Sequence, residues 1–274
     1  MINPRETSTQ PERDMKNRIK AVFFDIDGTL VSFTTHTVPD SAREAIKRLR
    51  ERGVKVFIAT GRLLRHTDVV RDIEVDGYVT VNGSYCLKSS GEVIYEQAFP
   101  QQTVERILSL MEQYGFALEL MTQENIFVEE ITPEVQKAID MVDIIPAVAP
   151  LREIAATQKV FQVCPYISRE LEQEILPQIP ECVGSRWTEL FMDVNMRGID
   201  KSIAARKVME YYGFTMEESM AFGDGGNDVS LVKDVALGVA MGNACDALKD
   251  VADYITTGVD EDGIARALEY FELI

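Results

Sequence analysis

The run Phe23-Phe-Asp-Ile-Asp-Gly-Thr-Leu-Val31 closes an apolar stretch with two aspartates, Asp25 and Asp27, one residue apart. Carboxylates at the buried tip of a strand are costly unless something binds them. Three further short signals follow in order: Thr60-Gly61-Arg62, Lys201 opening a helical pattern, and Gly223-Asp-Gly-Gly-Asn-Asp228. Each alone has an ordinary reading. Asp-Gly is a common turn, threonine suits a strand end or a helix cap, and a helix-start lysine is usually solvated. A glycine-rich loop can simply supply positive φ. Together they bring carboxylates, one ammonium, a hydroxyl and glycine N–H groups to positions just beyond strands, where ligands bind in open α/β sheets. That set suits a phosphate ester held with a magnesium ion, which takes oxygen ligands and retains waters.

The elements that must position these groups alternate strand and helix. Residues 20–24 read as a strand, and Ser41-Ala-Arg-Glu44 as a capping box. The helix it opens carries Ala42, Ala45, Ile46 and Leu49 on one face and stops at Gly53. Residues 54–59 and 78–81 predict further strands, with a helical stretch from about Leu63 between them. Short apolar strands separated by helices imply parallel pairing. From about Ser84 the texture changes to hairpins: 85–88 with 93–97, strands at 116–121, 126–129, 160–164 and 190–194, and helices around Val104–Met111 and 133–141. Beyond Gly198 the parallel pattern returns, with helices at 201–212 and 263–270 and strands at 220–222, 237–240 and 254–255. The expected fold class is α/β: a Rossmann-like parallel-sheet core with helices on both faces, plus an inserted α+β domain. The expected boundaries are a disordered leader at 1–18 (with Met15 a second candidate start), a split core at 19–83 and 191–274, and the insert at 84–190.

The bulk numbers narrow the partners. Apolar residues make up 46% and charged ones 27%, which is ordinary globular composition. A net charge of −17 without a basic run argues against nucleic acid and against anionic membrane surfaces. No window is long and apolar enough for a transmembrane helix, and the N-terminal run lacks a signal-peptide apolar segment. Cys86, Cys164, Cys182 and Cys245 have no CxxC spacing and read as reduced core thiols, which places the protein in the cytoplasm. His36 and His66 have no metal-ligand spacing and read as structural or surface residues.

In this order the four signals resemble the motifs of the haloacid dehalogenase superfamily of phosphohydrolases, over about residues 20–274. The insert lies between the threonine and lysine motifs, which looks like the second class of cap domain. Its texture, with GDGGNDVSLV and GVAMGNA, is similar to the Cof-type sugar-phosphate phosphatases with the B subtype of that cap. The resemblance implies Mg²⁺-dependent hydrolysis of a small phosphorylated metabolite, most plausibly a sugar phosphate, through an aspartyl-phosphate. Asp25 would be the nucleophile and, with Asp224, a side-chain metal ligand; Asp27 would lend its backbone carbonyl, and Asp228 would ligate directly or through water. Asp27, two residues on in extended backbone, would sit on the Asp25 side and act as general acid, then base, in a protonation state favoured by the surrounding negative charge. Thr60, with the N–H groups of Gly28 and Gly61, would hold the phosphoryl oxygens. Lys201 would balance charge, Asn227 would support phosphate or Lys201, and Arg62 and Asn82 would meet substrate where core and cap join. Trp187 and Arg186 are candidates for sugar contacts, against the commoner reading of core packing. A phosphomutase or phosphotransferase, and a silent sugar-phosphate binding module, remain open. Nothing in the sequence sets the oligomeric state, and a monomer is compatible with it.

Overall fold

The computed structural model describes residues 18–274. The expected leader, save Arg18, and Met15 lie outside the described residues. The first part of the chain holds β1 (Ala21–Phe24), α1 (Asp40–Glu51), β2 (Lys55–Ala59), β3 (Gly77–Thr80), β4 (Tyr85–Lys88) and β5 (Val93–Glu96). The middle holds α2 (Gln101–Tyr114), β6 (Leu118–Met121), β7 (Ile126–Val128), α3 (Pro133–Val142), β8 (Ala147–Val148), α4 (Leu151–Thr157), β9 (Gln162–Pro165), α5 (Arg169–Ile175), β10 (Cys182–Ser185) and β11 (Asp193–Met196). The last part holds α6 (Lys201–Tyr212), β12 (Ser219–Gly223), α7 (Val229–Asp234), β13 (Leu237–Ala240), α8 (Asp246–Lys249), β14 (Tyr254–Ile255) and α9 (Gly263–Tyr270).

Two sheets result. One has eight strands in the order β14-β13-β12-β1-β2-β3-β4-β5, parallel from β14 to β3 and antiparallel beyond. The period-2 alternation of β1 explains its two covered faces. Val22 and Phe24 pack with Ile46 and Leu49 of α1 and Ile264 and Leu268 of α9. Ala21 and Phe23 pack on the other side with Ala204 and Val208 of α6 and Leu231 of α7. Phe23 and Phe24 are fully buried, and each such side chain contributes about 1.5–3 kcal/mol. The second sheet has six strands, β10-β11-β9-β6-β7-β8, with its own core under α2, α4 and α5.

The sheets do not part at residues 84 and 191. The hairpin β4–β5 extends the eight-stranded sheet, because Tyr78 pairs with Leu87 and Thr80 with Tyr85. Strand β11 pairs with β9 and β10 and so belongs to the six-stranded sheet. Hairpin texture identifies antiparallel pairing but not which sheet the hairpin lengthens.

Local expectations shift too. Helix α1 begins at Asp40 behind Pro39, with no side-chain cap. Ser41 therefore sits inside the first turn, its hydroxyl buried without a partner, and no capping box forms. The helix expected from Leu63 is instead two single 3₁₀ turns, Leu64–His66 and Asp68–Val70. There the Thr67 hydroxyl donates to the Leu64 carbonyl (2.7 Å) and Arg62 donates to that of His66 (2.8 Å), acceptors a continuing helix would need. Cys86, Cys164 and Cys182 are buried free thiols, but Cys245 is exposed, at the cap of the short α8.

Candidate active site

Parallel pairing sets the site. Phe24 of β1 lies beside Phe222 of β12, so the residues that follow, Asp25 and Asp224, leave adjacent strand ends. Asp25 continues the parity of Ala21 and Phe23, the face covered by α6, whose first residue is Lys201. The start of α6 is fixed by Asp200, which accepts the Ile203 N–H (2.8 Å), and by Gly83, where a Cβ would overlap the Asp200 carbonyl.

Lys201 is completely buried, and its Nζ donates to Asp25 Oδ1 and to Asp228 Oδ1, both at 2.6 Å. The other oxygen of Asp228 accepts the N–H groups of Asp224 (3.1 Å) and Gly225 (3.0 Å), folding the GDGGND run into a tight loop. Asp25, Asp224 and Asp228 offer oxygens all within 4.8 Å of one another. Burial pushes the Asp25 carboxyl well up; Lys201 opposes this, and the charges of Asp228 and Asp224 add to it. Asp224 is pushed up to about 7, first by burial and then by Asp228. Burial disfavours the Lys201 charge, but Asp228 and Asp25 outweigh it and hold the ammonium charged. Three carboxylates against one ammonium leave two negative charges uncompensated, the charge of one divalent cation. An all-oxygen donor set of that charge fits a hard divalent ion.

Other contacts shape the same end of the sheet. Gly28 has φ +81°, and a Cβ there would overlap the Asp224 carboxylate. Asn243, which the sequence reading did not single out, donates to the Gly28 carbonyl (2.8 Å) and to Asp224 Oδ2 (3.4 Å) and accepts the Val259 N–H (3.2 Å). Its signal was the Gly-Asn pair just beyond β13, level with the other motif residues. Thr29 donates to Asp224 Oδ1 (3.4 Å).

Asp27 stands apart from the cluster. Just past Ile26 the chain turns: Thr29, Leu30 and Val31 all donate back to the Ile26 carbonyl. The Asp27 carboxylate instead receives two bonds from Arg62, from Nη2 (2.6 Å) and Nε (2.8 Å). The Asp27 charge adds to the negative crowd around Asp224. Arg62 is held in turn by the His66 carbonyl, which gives that histidine a backbone role.

Thr60 directly follows β2, and its buried hydroxyl oxygen accepts the Arg62 N–H (3.1 Å), leaving its own proton to donate. Gly61 lies against the Asn82 side chain. Asn82 is left-handed (φ 52°) and joins three regions: it accepts from Asn227 of the GDGGND loop (3.0 Å) and donates to Gln162 of β9 (3.0 Å). Of the two sugar-contact candidates, Arg186 is spent inside the insert, on Glu172 (2.6 Å) and on the carbonyls of Ile167 and Phe191. Trp187 is 60% exposed, edge-on against Phe191, and therefore not core.

The sequence matches the haloacid dehalogenase-like hydrolase family over residues 22–268. It is 30% identical over 263 residues to the 5-amino-6-(5-phospho-D-ribitylamino)uracil phosphatase of Bacillus subtilis, spanning 93% of this chain and 96% of that protein. Among solved structures, the phosphatase BT1666 of Bacteroides thetaiotaomicron superposes with TM-score 0.90 at 34% identity, covering 99% of this chain and 100% of that one. The subclass IIB sugar phosphatase BT4131 superposes with TM-score 0.84 at 40% identity, covering 93% and 100%. The chain belongs to the haloacid dehalogenase-like hydrolases and is a phosphatase. Among the described residues no helix is long and apolar enough to cross a membrane.

Proposed function

We propose that this haloacid dehalogenase-like phosphatase hydrolyses monoesters of small hydroxylated metabolites, sugar phosphates foremost, with Mg²⁺ and through a phosphorylated Asp25. The observation that carries the reading is the buried Asp25–Lys201–Asp228 chain beside Asp224, two positive charges short of balance. Asp25 and Asp224 would hold the ion by their side chains and Asp27 by its backbone carbonyl. Asp228 would act through water, since both its oxygens already serve Lys201 and the loop N–H groups. Bound there, the ion supplies the positive charge that lets a carboxylate and a phosphate dianion share one pocket.

In the first half-reaction an Asp25 carboxylate oxygen bonds to phosphorus as the ester P–O bond breaks, and Asp27 gives its proton to the departing alcohol. In the second, Asp27 takes a proton from a water that attacks the same phosphorus, releasing inorganic phosphate and restoring Asp25. Arg62, bonded to both Asp27 oxygens, would orient that carboxyl in both steps. Thr60 and the Gly28 and Gly61 N–H groups hold phosphoryl oxygens, while Lys201 offsets their charge. Two similar proteins support a hydroxylated leaving group, one a sugar phosphatase and the other named for a ribityl compound.

The test is phosphate release from a panel of phosphorylated metabolites with Mg²⁺, EDTA, and EDTA followed by excess Mg²⁺. Chelation should stop turnover and Mg²⁺ restore it. Asp25→Asn should be inactive yet folded by circular dichroism; turnover in that variant, or indifference to EDTA, refutes the assignment.

A further inference from the structure

One face of the six-stranded cap sheet is covered by α2, α4 and α5; on the opposite face Ile126 and Met121 pack with Leu63 and Val81 of the core, while Val128 and Cys164 lie under α3. The row of that face nearest the core can be read from the pairing register. Val183 lies opposite Asn195, Gln162 opposite Met121, and Met121 opposite Ile126. Val194 pairs with Val163 in antiparallel fashion, which puts Asn195 beside Gln162. Gln162 is the residue that Asn82 holds from the core, next to Gly61 of the predicted phosphate cradle. Asn195 therefore stands one strand spacing, about 4.8 Å, beyond that junction, a gap that a short carbon chain bridges.

Asn195 is 6% exposed, and its Oδ1 is buried with no hydrogen-bond partner among the described residues. A buried amide oxygen is almost always satisfied, so an orphan one at a site edge calls for an absent donor. The next row outward is rich in acceptors. Asp193 takes the Cys164 thiol (3.4 Å), with the Trp187 side chain also bonded to it, and Glu119 takes the Tyr166 hydroxyl (2.5 Å). No lysine or arginine among the described residues pairs with either carboxylate. The two rows carry no basic side chain, and the donors of the outer one are already spent on its carboxylates.

The geometry points to Asn195, with Gln162 beside it, as the leaving-group subsite, accepting a hydrogen bond from a hydroxyl or amine several bonds from the phosphate. The assignment rests on the proposed phosphatase reading and adds the residue that reads the substrate's far end. A purely apolar or aromatic leaving group leaves the Asn195 oxygen as bare as it is here. A hydroxylated or aminated one completes it, and this difference is selectivity.

The test compares kcat/KM for p-nitrophenyl phosphate, whose leaving group carries no such donor, with the values for a panel of hexose, pentose and polyol phosphates plus glucosamine 6-phosphate. The wild type should prefer the best panel member. Asn195→Leu should cut the ratio of that member to p-nitrophenyl phosphate at least tenfold, and Asn195→Asp, which keeps an acceptor, should retain most of it. Gln162→Leu, whose row neighbours stay in place, should lower the ratio in the same direction. If glucosamine 6-phosphate loses more than glucose 6-phosphate, the donor is an amine; the reverse identifies a hydroxyl. A ratio that moves less than twofold in Asn195→Leu, or a wild type that prefers p-nitrophenyl phosphate, overturns the subsite and leaves the phosphatase standing. A wild type that releases phosphate from none of these compounds overturns the proposed function itself.

Discussion

Replacing Lys201 by methionine tests the charge balance most directly. The ammonium is fully buried and makes two 2.6 Å bonds to carboxylates that are themselves buried. Methionine is unbranched and of comparable length, so packing is largely kept and the charge is lost. Removing one partner of a buried ion pair costs about 3–5 kcal/mol, because the remaining charge stays behind uncompensated. At about 2–4 °C per kcal/mol for a chain of this size, the metal-free protein should melt roughly 6–20 °C lower than wild type. Calorimetry in EDTA at pH 8 measures this. The loss should shrink at pH 5, where protonation of Asp25 and Asp224 removes the repulsion that the lysine had balanced. Adding Asp228→Asn should recover part of the melting temperature but none of the turnover, which should be down at least about a hundredfold in both variants, the scale of a lost transition-state charge contact. A drop below 2 °C at pH 8, or a loss independent of pH, would refute the view that Lys201 is held by electrostatics rather than by shape.

The same charges make metal-free stability depend on pH. Asp224 is raised in the folded chain to about 7 from 3.8, so the native state holds a proton that the unfolded state has released between about pH 4 and 7. That contribution is present at low pH and lost as pH rises through the window, and Asp25 acts in the same direction. The melting-temperature gain on adding Mg²⁺ should therefore widen from pH 5 to 7.5; a flat difference counts against the site. Gly28→Ala should raise the Mg²⁺ concentration for half-activity at least tenfold, since its φ of +81° and its contact with Asp224 both resist a Cβ; an unchanged Mg²⁺ titration contradicts that packing. Asn243→Ala should cost about 1 kcal/mol in urea unfolding and also weaken Mg²⁺ dependence, because it frees the Gly28 carbonyl and Asp224 together. A stability change without any Mg²⁺ effect would restrict Asn243 to a scaffold role.

The residues that gather at the strand ends were legible because each lies in a short run whose types are unusual together: Asp25 before a Gly-Thr, Thr60-Gly61, and Asp224 to Asp228 across glycines. What a run cannot show is orientation after a turn. Asp27 keeps its sequence spacing from Asp25, but no local signal shows that its carboxylate is taken by Arg62, thirty-five residues on. Asn243 was missed because its worth comes from two partners more than a hundred positions distant or across a loop, and one amide after a glycine carries no periodic signal. The hairpin β4–β5 was assigned to the wrong sheet for a related reason: its alternation is the same whether it lengthens the core sheet or begins the insert. The helices and parallel strands were readable where apolar spacing ran for several turns, as in α1, and unreadable where side chains captured backbone carbonyls, as at Arg62 and Thr67.

The pairing of β1 with β12 governs the order in which this molecule can be assembled. Ala21 finds Ser219 only after nearly the whole chain has been made, whereas every partner within the six-stranded sheet lies in one unbroken stretch between Leu118 and Met196. On the ribosome the middle of the protein can settle first, drawing the flanking segments near each other and shortening the search that β1 must make. Until β1 and β12 pair, Asp25 lacks its companion aspartates, so a nascent chain carries that carboxylate without the cluster around it.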